Sequence, residues 1–407
     1  MKTVAVIGGG ASGIMAAISA AENGAKVVLL EKNEKIGKKI YLTGKGRCNV
    51  TNNKPIDDFF KHIYGNKQFL FSAFKSFDNK DLIRMLEDLK IPLVVERGDR
   101  VFPKSGKSSD IIKAFNNRLG QLNVEIRLNN KVKDIRPTKD QFMISTDKGE
   151  VFASEIIVAT GGVSYPMTGS DGDGIKWAKN LGIKSSNLRA GLSGMELINP
   201  NSELSGLTLK NVKLSMYIND KKTFDEIGEL LFTRNGISGP LVLSASNVLE
   251  NDRDKIDLYI DLKPGMTEKD LDDRLLKEFC IYPNKEIFSI IKTTMPKALV
   301  KPFLDNVSIH ERIKCNQVTK EMRKKLIIQY KNFSLKFKML RPIDEAIITA
   351  GGISTKEINP KTMESNIYPG MFFAGEIIDL HGDTGGYNLQ IAFSTGYVAG
   401  LSAAKRE

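Results

Sequence analysis

The sequence predicts an α/β protein built on a parallel sheet, with a β-rich unit and a helical unit inserted between the two stretches that form the sheet. Three observations carry this. Residues 3–7 are a short apolar, β-branched run leading directly into glycines at 8, 10 and 13, as a buried parallel strand turning into a helix would. Residues 190–261 break into short turn-bounded strands, and residues 264–331 return to helical spacing. The last stretch carries two more apolar runs ending in glycines, at 346–353 and 370–376, which bring the second chain end back to the first sheet.

Gly8, Gly10 and Gly13 fit Gly-x-Gly-x-x-Gly. Apolar residues recur at helical spacing from 11 to 23, Gly24 stands where a helix C-cap belongs, and 26–30 is a second strand ending at Glu31. Gly8 lets the chain turn out of the strand, Gly10 lets a pyrophosphate approach the backbone, and Gly13 lets helix and strand pack closely. The helix start turns unpaired N–H groups and a positive dipole end towards phosphate. Glu31, 18 positions after Gly13, supplies a carboxylate for ribose hydroxyls. Strand, glycines, helix, strand and acid in this order mark a dinucleotide site.

A chain of 407 residues has room for two or three domains. Its 41% hydrophobic and 27% charged content is that of a globular protein. The apolar opening is cut by three glycines and lacks the cleavage pattern of a signal peptide. No run of about 18 apolar residues is present, so no membrane association is expected. Cys48, Cys280 and Cys315 are odd in number and scattered, which points to a reducing compartment and a cytoplasmic location. Most of the net charge of +12 falls between 292 and 341, where 13 Lys/Arg face three acids. Two readings of this block are open: a docking surface for a polyanion, RNA or DNA first, or a solvated helical face.

In chain order, residues 41–52 form a loop with Gly44 and Gly46 followed by Arg47, Cys48, Asn49, Thr51 and Asn52, a set able to return over phosphates. Residues 59–90 are helical, with aromatic residues at 69, 71, 74 and 77 expected in the core. Short strands and turns follow over 92–104, and a helix over 108–120. Residues 124–128, 131–135, 141–145 and 151–152 alternate as a β-meander, and 155–162 is an apolar strand returning to the first sheet. Asp171 or Asp173 is expected to cap a helix through Trp177, and the spacing of these acids is not that of a calcium loop, so no metal is expected. Thr267 caps the helical stretch, which Pro283, Pro296 and Pro302 interrupt. The expected division is a nucleotide-binding domain over 1–189 and 342–407, a β-rich insert over 190–263 with a return strand at 332–341, and a basic helical insert over 264–331. The helix entered at 382–390 can present bare N–H groups to an anion or a ring carbonyl.

The segments 6–13, 44–52, 159–162, 228–240, 373–376 and 382–390 together resemble the BaiN/YhiN-like flavoproteins, also labelled aminoacetone oxidase family FAD-binding. The likeness runs over essentially the whole chain. It implies a glutathione-reductase-type Rossmann-like FAD-binding fold with an inserted β-barrel-like domain and a small helical domain, and non-covalent FAD. By the same resemblance, Gly8, Gly10, Ser12, Gly13, Glu31 and Lys32 serve the ADP half, and Ala11, Gly44 and Val132 are further cofactor-binding positions. Arg47, Cys48 and Asn49 follow the phosphates and flavin edge, Thr160 and Gly161 close over it, and Gly375 and Glu376 meet the ribityl chain. Gly386, Asn388, Leu389 and Gln390 meet the pyrimidine end. His381 stands where relatives often carry an acid.

Members of that family are associated with reduction of a ribosomal RNA uridine to dihydrouridine, with reduction of steroid-like double bonds and with oxidation of aminoacetone. The leading expectation is an FAD-dependent reductase acting on uridine in 23S ribosomal RNA, with NAD(P)H as transient reductant and Lys314, Lys320, Arg323, Lys324 and Lys325 on the RNA. Cys48 is the first candidate proton donor, with Tyr165 and His381 behind it. Cys48 is equally readable as a small filler under the flavin. The alternatives are a small-molecule amine oxidase or ene-reductase, and a non-catalytic flavoprotein that binds RNA or ribosomes. No second glycine fingerprint is present, so a nicotinamide would visit the flavin without a dedicated domain.

Overall fold

A computed structural model of the chain describes residues 2–249 and 254–406. The central element is a five-stranded parallel sheet in the spatial order Met371–Phe373, Glu155–Val158, Thr3–Ile7, Lys26–Leu30, Glu125–Arg127. Its inner strands are buried along nearly their whole length, which is why they read as unbroken apolar runs rather than alternating ones.

The helix Ala11–Glu22 follows the first strand, and the C-terminal helix Tyr387–Lys405 packs along it. Small residues set that approach. A Cβ added at Gly396 would stand 2.3 Å from the Ser12 carbonyl oxygen, and one at Gly400 2.3 Å from that of Ala16. Ser19 Oγ donates to Tyr397 O at 2.8 Å and ties the pair.

The chain forms two compact units, 1–191 with 342–407, and 192–341. The second unit holds a closed barrel of six strands, Met195–Leu197, Gly236–Ser238, Lys221–Thr233, Thr208–Ile218, Ile256–Asp261 and Phe333–Leu340. Helices Glu268–Ile281, Ile287–Ile291, Lys297–Asp305 and Lys320–Lys331 belong to the same unit. Thr267 and Asp270 form a capping box at the first of these. Lys331 Nζ joins the last to the barrel through Asp261 at 2.6 Å.

Several local expectations change. Glu125–Arg127 leaves the meander and pairs in parallel with Lys26–Leu30, so the meander keeps three strands. Its proximity in sequence to antiparallel strands hid the longer-range pairing. Residues 59–90 include the strand Ile63–Gly65 between helical turns. Phe69, Phe74 and Phe77 are buried, but Phe71 is 63% exposed and stacks on Phe60. Pro302 lies inside a helix, Lys297–Asp305, instead of breaking it. Gly172, with no side-chain cap, precedes the helix Asp173–Asn180, because Asp171 and Asp173 are drawn to Lys32 at 2.6 and 3.7 Å. Among the described residues, no helix is long and apolar enough to cross a membrane.

Candidate functional site

The site begins at the end of the first strand. Gly8 has φ +104°, and a Cβ there would stand 2.6 Å from Ala159 O. At Gly13 a Cβ would stand 1.8 Å from Gly8 O, so helix and strand meet at backbone distance. Gly10 differs: a Cβ there would meet no atom within 4 Å. It precedes the helix without a side-chain cap, so the first N–H groups of the helix have no intrahelical acceptor. Ala11 is half-buried beside it, and Ser12 packs under Gly375, where a Cβ would be 2.4 Å from Ser12 Oγ.

Glu31 is buried at the tip of the second strand. Its Oε2 accepts the Gly9 N–H at 2.6 Å, and Oε1 accepts Asn33 N–H and Nδ2 at 2.8 and 2.7 Å. The carboxylate thus braces the glycine turn and keeps lone pairs for hydroxyl donors. Lys32 engages Asp171 and Asp173. Val132 is buried nearby in sequence to Asn130, whose Oδ1 is buried with no hydrogen-bond partner among the described residues.

The segment after the second strand forms a short helix, Lys38–Leu42, and a tight turn, Thr43–Gly46. Gly44 adopts φ +58° in that turn. Arg47 pairs with Glu96 and lies 4.3 Å over the Phe102 ring. Cys48, at φ +60°, is fully buried. Burial pushes its thiol up to about 12, against a smaller opposite effect of a hydrogen bond with Thr43. Such a thiol is no ready acid at a solvent-facing site. Asn49 Oδ1 is buried without a partner among the described residues.

Both chain ends meet at Glu376. Its Oε2 takes Lys39 Nζ at 2.6 Å, and its Oε1 takes Ser164 Oγ at 3.0 Å and Thr349 N–H at 2.7 Å. Lys39 also donates to Ser164 Oγ at 2.7 Å. Gly161, at φ +73°, lies over this cluster, with Glu376 Oε2 3.7 Å from where its Cβ would be. Thr160 Oγ1 is buried without a partner among the described residues. Gly375 N–H donates to Thr395 Oγ1 at 2.9 Å, which seats the turn on the C-terminal helix. Lys39, Thr349 and Asn130 escaped sequence reasoning: Lys39 and Asn130 lie outside the glycine motifs, and Thr349 lies in the glycine-ended run 346–353, which reads only as a strand and turn.

At the C-terminal helix start, Gly385 and Gly386 have φ +121° and +101°, and a Cβ on Gly386 would stand 2.4 Å from the Thr51 backbone. Asn388 is engaged by the Gly382 N–H and donates to the Gly382 carbonyl, both at 2.8 Å. Gln390 is fully buried, accepting from Thr51 Oγ1 at 2.7 Å and donating to Ser394 Oγ at 3.0 Å. Both amides therefore shape the helix entry through protein contacts, and Leu389 is half-buried between them.

His381 is buried with neither ring nitrogen partnered among the described residues, and it stacks on Tyr64 at 5.3 Å. Burial first, then the Arg189 charge, push it down to about 4, so it is neutral at physiological pH. Tyr165, half-buried with φ +52°, opens the turn Pro166–Thr168. The structure therefore brings Glu376, Gly161 and Thr160 together, while Cys48 lies inside the core.

On the helical part of the second unit, Lys314, Lys320, Lys324 and Lys325 are exposed. Arg323 differs, being largely covered and paired with Asp272.

A glycine turn open at Gly10, a braced acid at Glu31, and buried unpartnered atoms at Asn49, Asn130 and Thr160 fit the polar, elongated FAD molecule. The sequence profile of the HI0933-like protein Rossmann domain matches residues 2–402. The chain belongs to the HI0933-like family. It is 29% identical over 416 residues, covering all of both chains, to the 3-dehydro-bile acid delta(4,6)-reductase of Clostridium scindens. It is 28% identical to the ribosomal RNA dihydrouridine synthases of Haemophilus influenzae and Escherichia coli K12, over 98% of each chain. The fold is similar to that of 3-ketosteroid-delta4-(5alpha)-dehydrogenase from Rhodococcus jostii RHA1, with TM-score 0.53, 14% identity and coverage of 99% and 96%. This HI0933-like protein is thus an FAD-dependent oxidoreductase with a Rossmann-type FAD-binding domain.

Proposed function

We propose that this protein reduces a uridine of 23S ribosomal RNA to dihydrouridine, with NAD(P)H as the ultimate electron donor. The observation that carries this reading is the exposed lysine set at 314, 320, 324 and 325, within a block of 13 Lys/Arg against three acids. Bound FAD, once reduced, would supply the hydride, one hydrogen with both electrons, that adds to the uracil C5–C6 double bond.

The chain's own residues supply the rest. The helix start at Gly10 and the Glu31 carboxylate hold the adenosine and phosphates, and Thr160, Gly161 and the Lys39–Glu376 pair hold the ribityl region. The exposed lysines hold RNA phosphates and set orientation without reading sequence. The target base must leave its stack to reach the site. Cytoplasmic ribosomal RNA is the matching partner.

A second reading, reduction of a small conjugated enone, is favoured by the 29% identity to the bile acid reductase. Both relatives' names denote addition of hydrogen across a carbon–carbon double bond, so the two readings differ in substrate size and not in reaction. Only the RNA reading requires the lysine surface.

The test is mass spectrometry of 23S ribosomal RNA from cells with and without the gene. The RNA reading expects one uridine derivative, heavier than uridine by two hydrogens, to vanish on deletion. It returns with the intact gene and not with Gly10→Glu. Unchanged RNA removes that reading and leaves the enone.

A further inference from the structure

The helical part of the second unit carries exposed lysines, and an exposed aromatic ring stands among them. The helix Glu268–Ile281 ends at Tyr282, whose N–H still donates to the Glu278 carbonyl at 3.0 Å. Pro283 follows and does not continue the helix. The Lys285 N–H donates back to the Tyr282 carbonyl at 3.1 Å, so residues 282–285 form a tight turn. The turn brings Lys285 Nζ to 3.7 Å from the centre of the Tyr282 ring. With the ammonium in place, Tyr282 is still 39% exposed.

A second segment runs alongside this turn. Cys315 N–H donates to the Lys285 carbonyl at 2.9 Å, and Asn316 N–H to the Pro283 carbonyl at 3.0 Å. Glu286 and Lys314 face each other across an antiparallel bridge. Lys285 and Lys314 are both exposed. Burial pushes the Cys315 thiol up, and the charges of Lys285 and Lys314 both oppose it, which sets the two ammonium groups around one point. Arg323–Asp272 and Lys331–Asp261 are ion pairs of the neighbouring helix, and among the described residues no ion pair engages Lys285 or Lys314.

Lysines alone hold phosphates and respond to charge. An exposed aromatic ring responds to something else, the flat face of a base, and that face is free only where the RNA is unpaired. The ammonium over the ring orients it through its attraction to the π face, so the platform is formed before any RNA arrives. The adjoining block from 292 to 341, with 13 Lys/Arg against three acids, supplies the field that draws a polyanion.

We infer that Tyr282 stacks an unpaired base of the RNA, with Lys285 and Lys314 on the phosphates beside it; this rests on the RNA reading above. Lysines 320, 324 and 325 then supply affinity for any RNA, whereas Tyr282 selects a loop or bulge over a continuous duplex.

The test uses the full-length, FAD-loaded protein and two fluorescent RNA hairpins, with binding followed by anisotropy across a salt series. One hairpin closes on a loop of unpaired uridines. The other carries abasic riboses at the same loop positions, so the phosphates are identical and only the base faces are missing. Wild type is expected to bind the uridine loop about 5- to 150-fold more tightly than the abasic one. Tyr282→Leu should bind both hairpins alike, with the salt slope of wild type, and Tyr282→Phe should keep the preference. Lys314→Gln should weaken both hairpins and flatten the slope by about 0.7. A wild type that binds the two hairpins equally overturns the proposal without recourse to a variant, and so does a Tyr282→Leu protein that keeps the preference. A wild type that binds a 23S ribosomal RNA transcript but neither hairpin also overturns the proposal alone. One that binds neither the hairpins nor the transcript overturns the RNA reading, and this proposal with it.

Discussion

Lys39 Nζ stands 2.6 Å from Glu376 Oε2, an ion pair between residues 337 positions apart. It closes the first and last stretches of the chain around one point. Glu376 also accepts Ser164 Oγ and the Thr349 N–H, so the two partners are not equivalent. Lys39→Met leaves the carboxylate its hydroxyl and backbone donors, whereas Glu376→Gln disturbs the bonds to Lys39, Ser164 and Thr349 together. Glu376→Gln is therefore expected to lower apoprotein stability more, by roughly 1–3 kcal/mol, and both variants to bind FAD more weakly. Chemical denaturation and flavin fluorescence titration measure the two effects separately.

The two inner glycines of the turn should fail in different ways. Gly13→Ala places a Cβ 1.8 Å from Gly8 O, so the helix must shift and the apoprotein loses on the order of 1–3 kcal/mol or more. Gly10→Ala meets nothing within 4 Å and should leave the apoprotein's melting temperature unchanged while weakening FAD binding at least tenfold. Equal losses of apoprotein stability would contradict the cofactor role of Gly10.

Thr160 Oγ1 is buried without a partner among the described residues. Thr160→Val removes a buried polar group that has no hydrogen bond to lose, so apoprotein stability should hold or rise by up to about 1 kcal/mol. FAD affinity should fall several-fold. A destabilised apoprotein with normal FAD affinity would contradict this assignment.

The legible parts were those that repeat a local physical rule. The unbroken apolar runs at Thr3–Ile7 and Glu155–Val158 and the Gly8–Gly10–Gly13 spacing each report one-dimensional constraints of a buried sheet and its helices. The parallel pairing of Glu125–Arg127 was hidden, because it depends on a partner strand far back in the chain. Lys39 was hidden for a similar reason: its partner is a carboxylate more than 300 positions away. Cys48 attracted attention by its chemistry, and only its burial shows that it is enclosed.

His381 should make stability fall in acid. Its folded value is pushed down to about 4 from an ordinary 6.5, chiefly by burial. Between those values the unfolded chain binds a proton that the folded chain does not, so stability rises with pH across this window and levels off above it. The full effect is of order 3 kcal/mol. Comparing denaturation midpoints at pH 7 and pH 5, His381→Phe should lose roughly 2 kcal/mol less than wild type.

Lysines 314, 320, 324 and 325 are exposed, whereas Arg323 pairs with Asp272. Replacing the four lysines by alanine should weaken RNA binding and flatten its salt dependence, by about 0.7–0.9 in log–log slope for each phosphate no longer neutralised. Arg323→Ala should instead lower stability and leave that slope unchanged. Filter binding across a salt series checks both.

The most direct test is anaerobic. Holoenzyme reduced with NADPH is mixed with unmodified 23S ribosomal RNA, the flavin absorbance is followed, and the RNA is then analysed by mass spectrometry. The account predicts flavin reoxidation in step with a gain of two hydrogens at one uridine. Flavin that stays reduced with the RNA, yet is reoxidised by a conjugated enone, would contradict the RNA substrate and assign the site to small molecules.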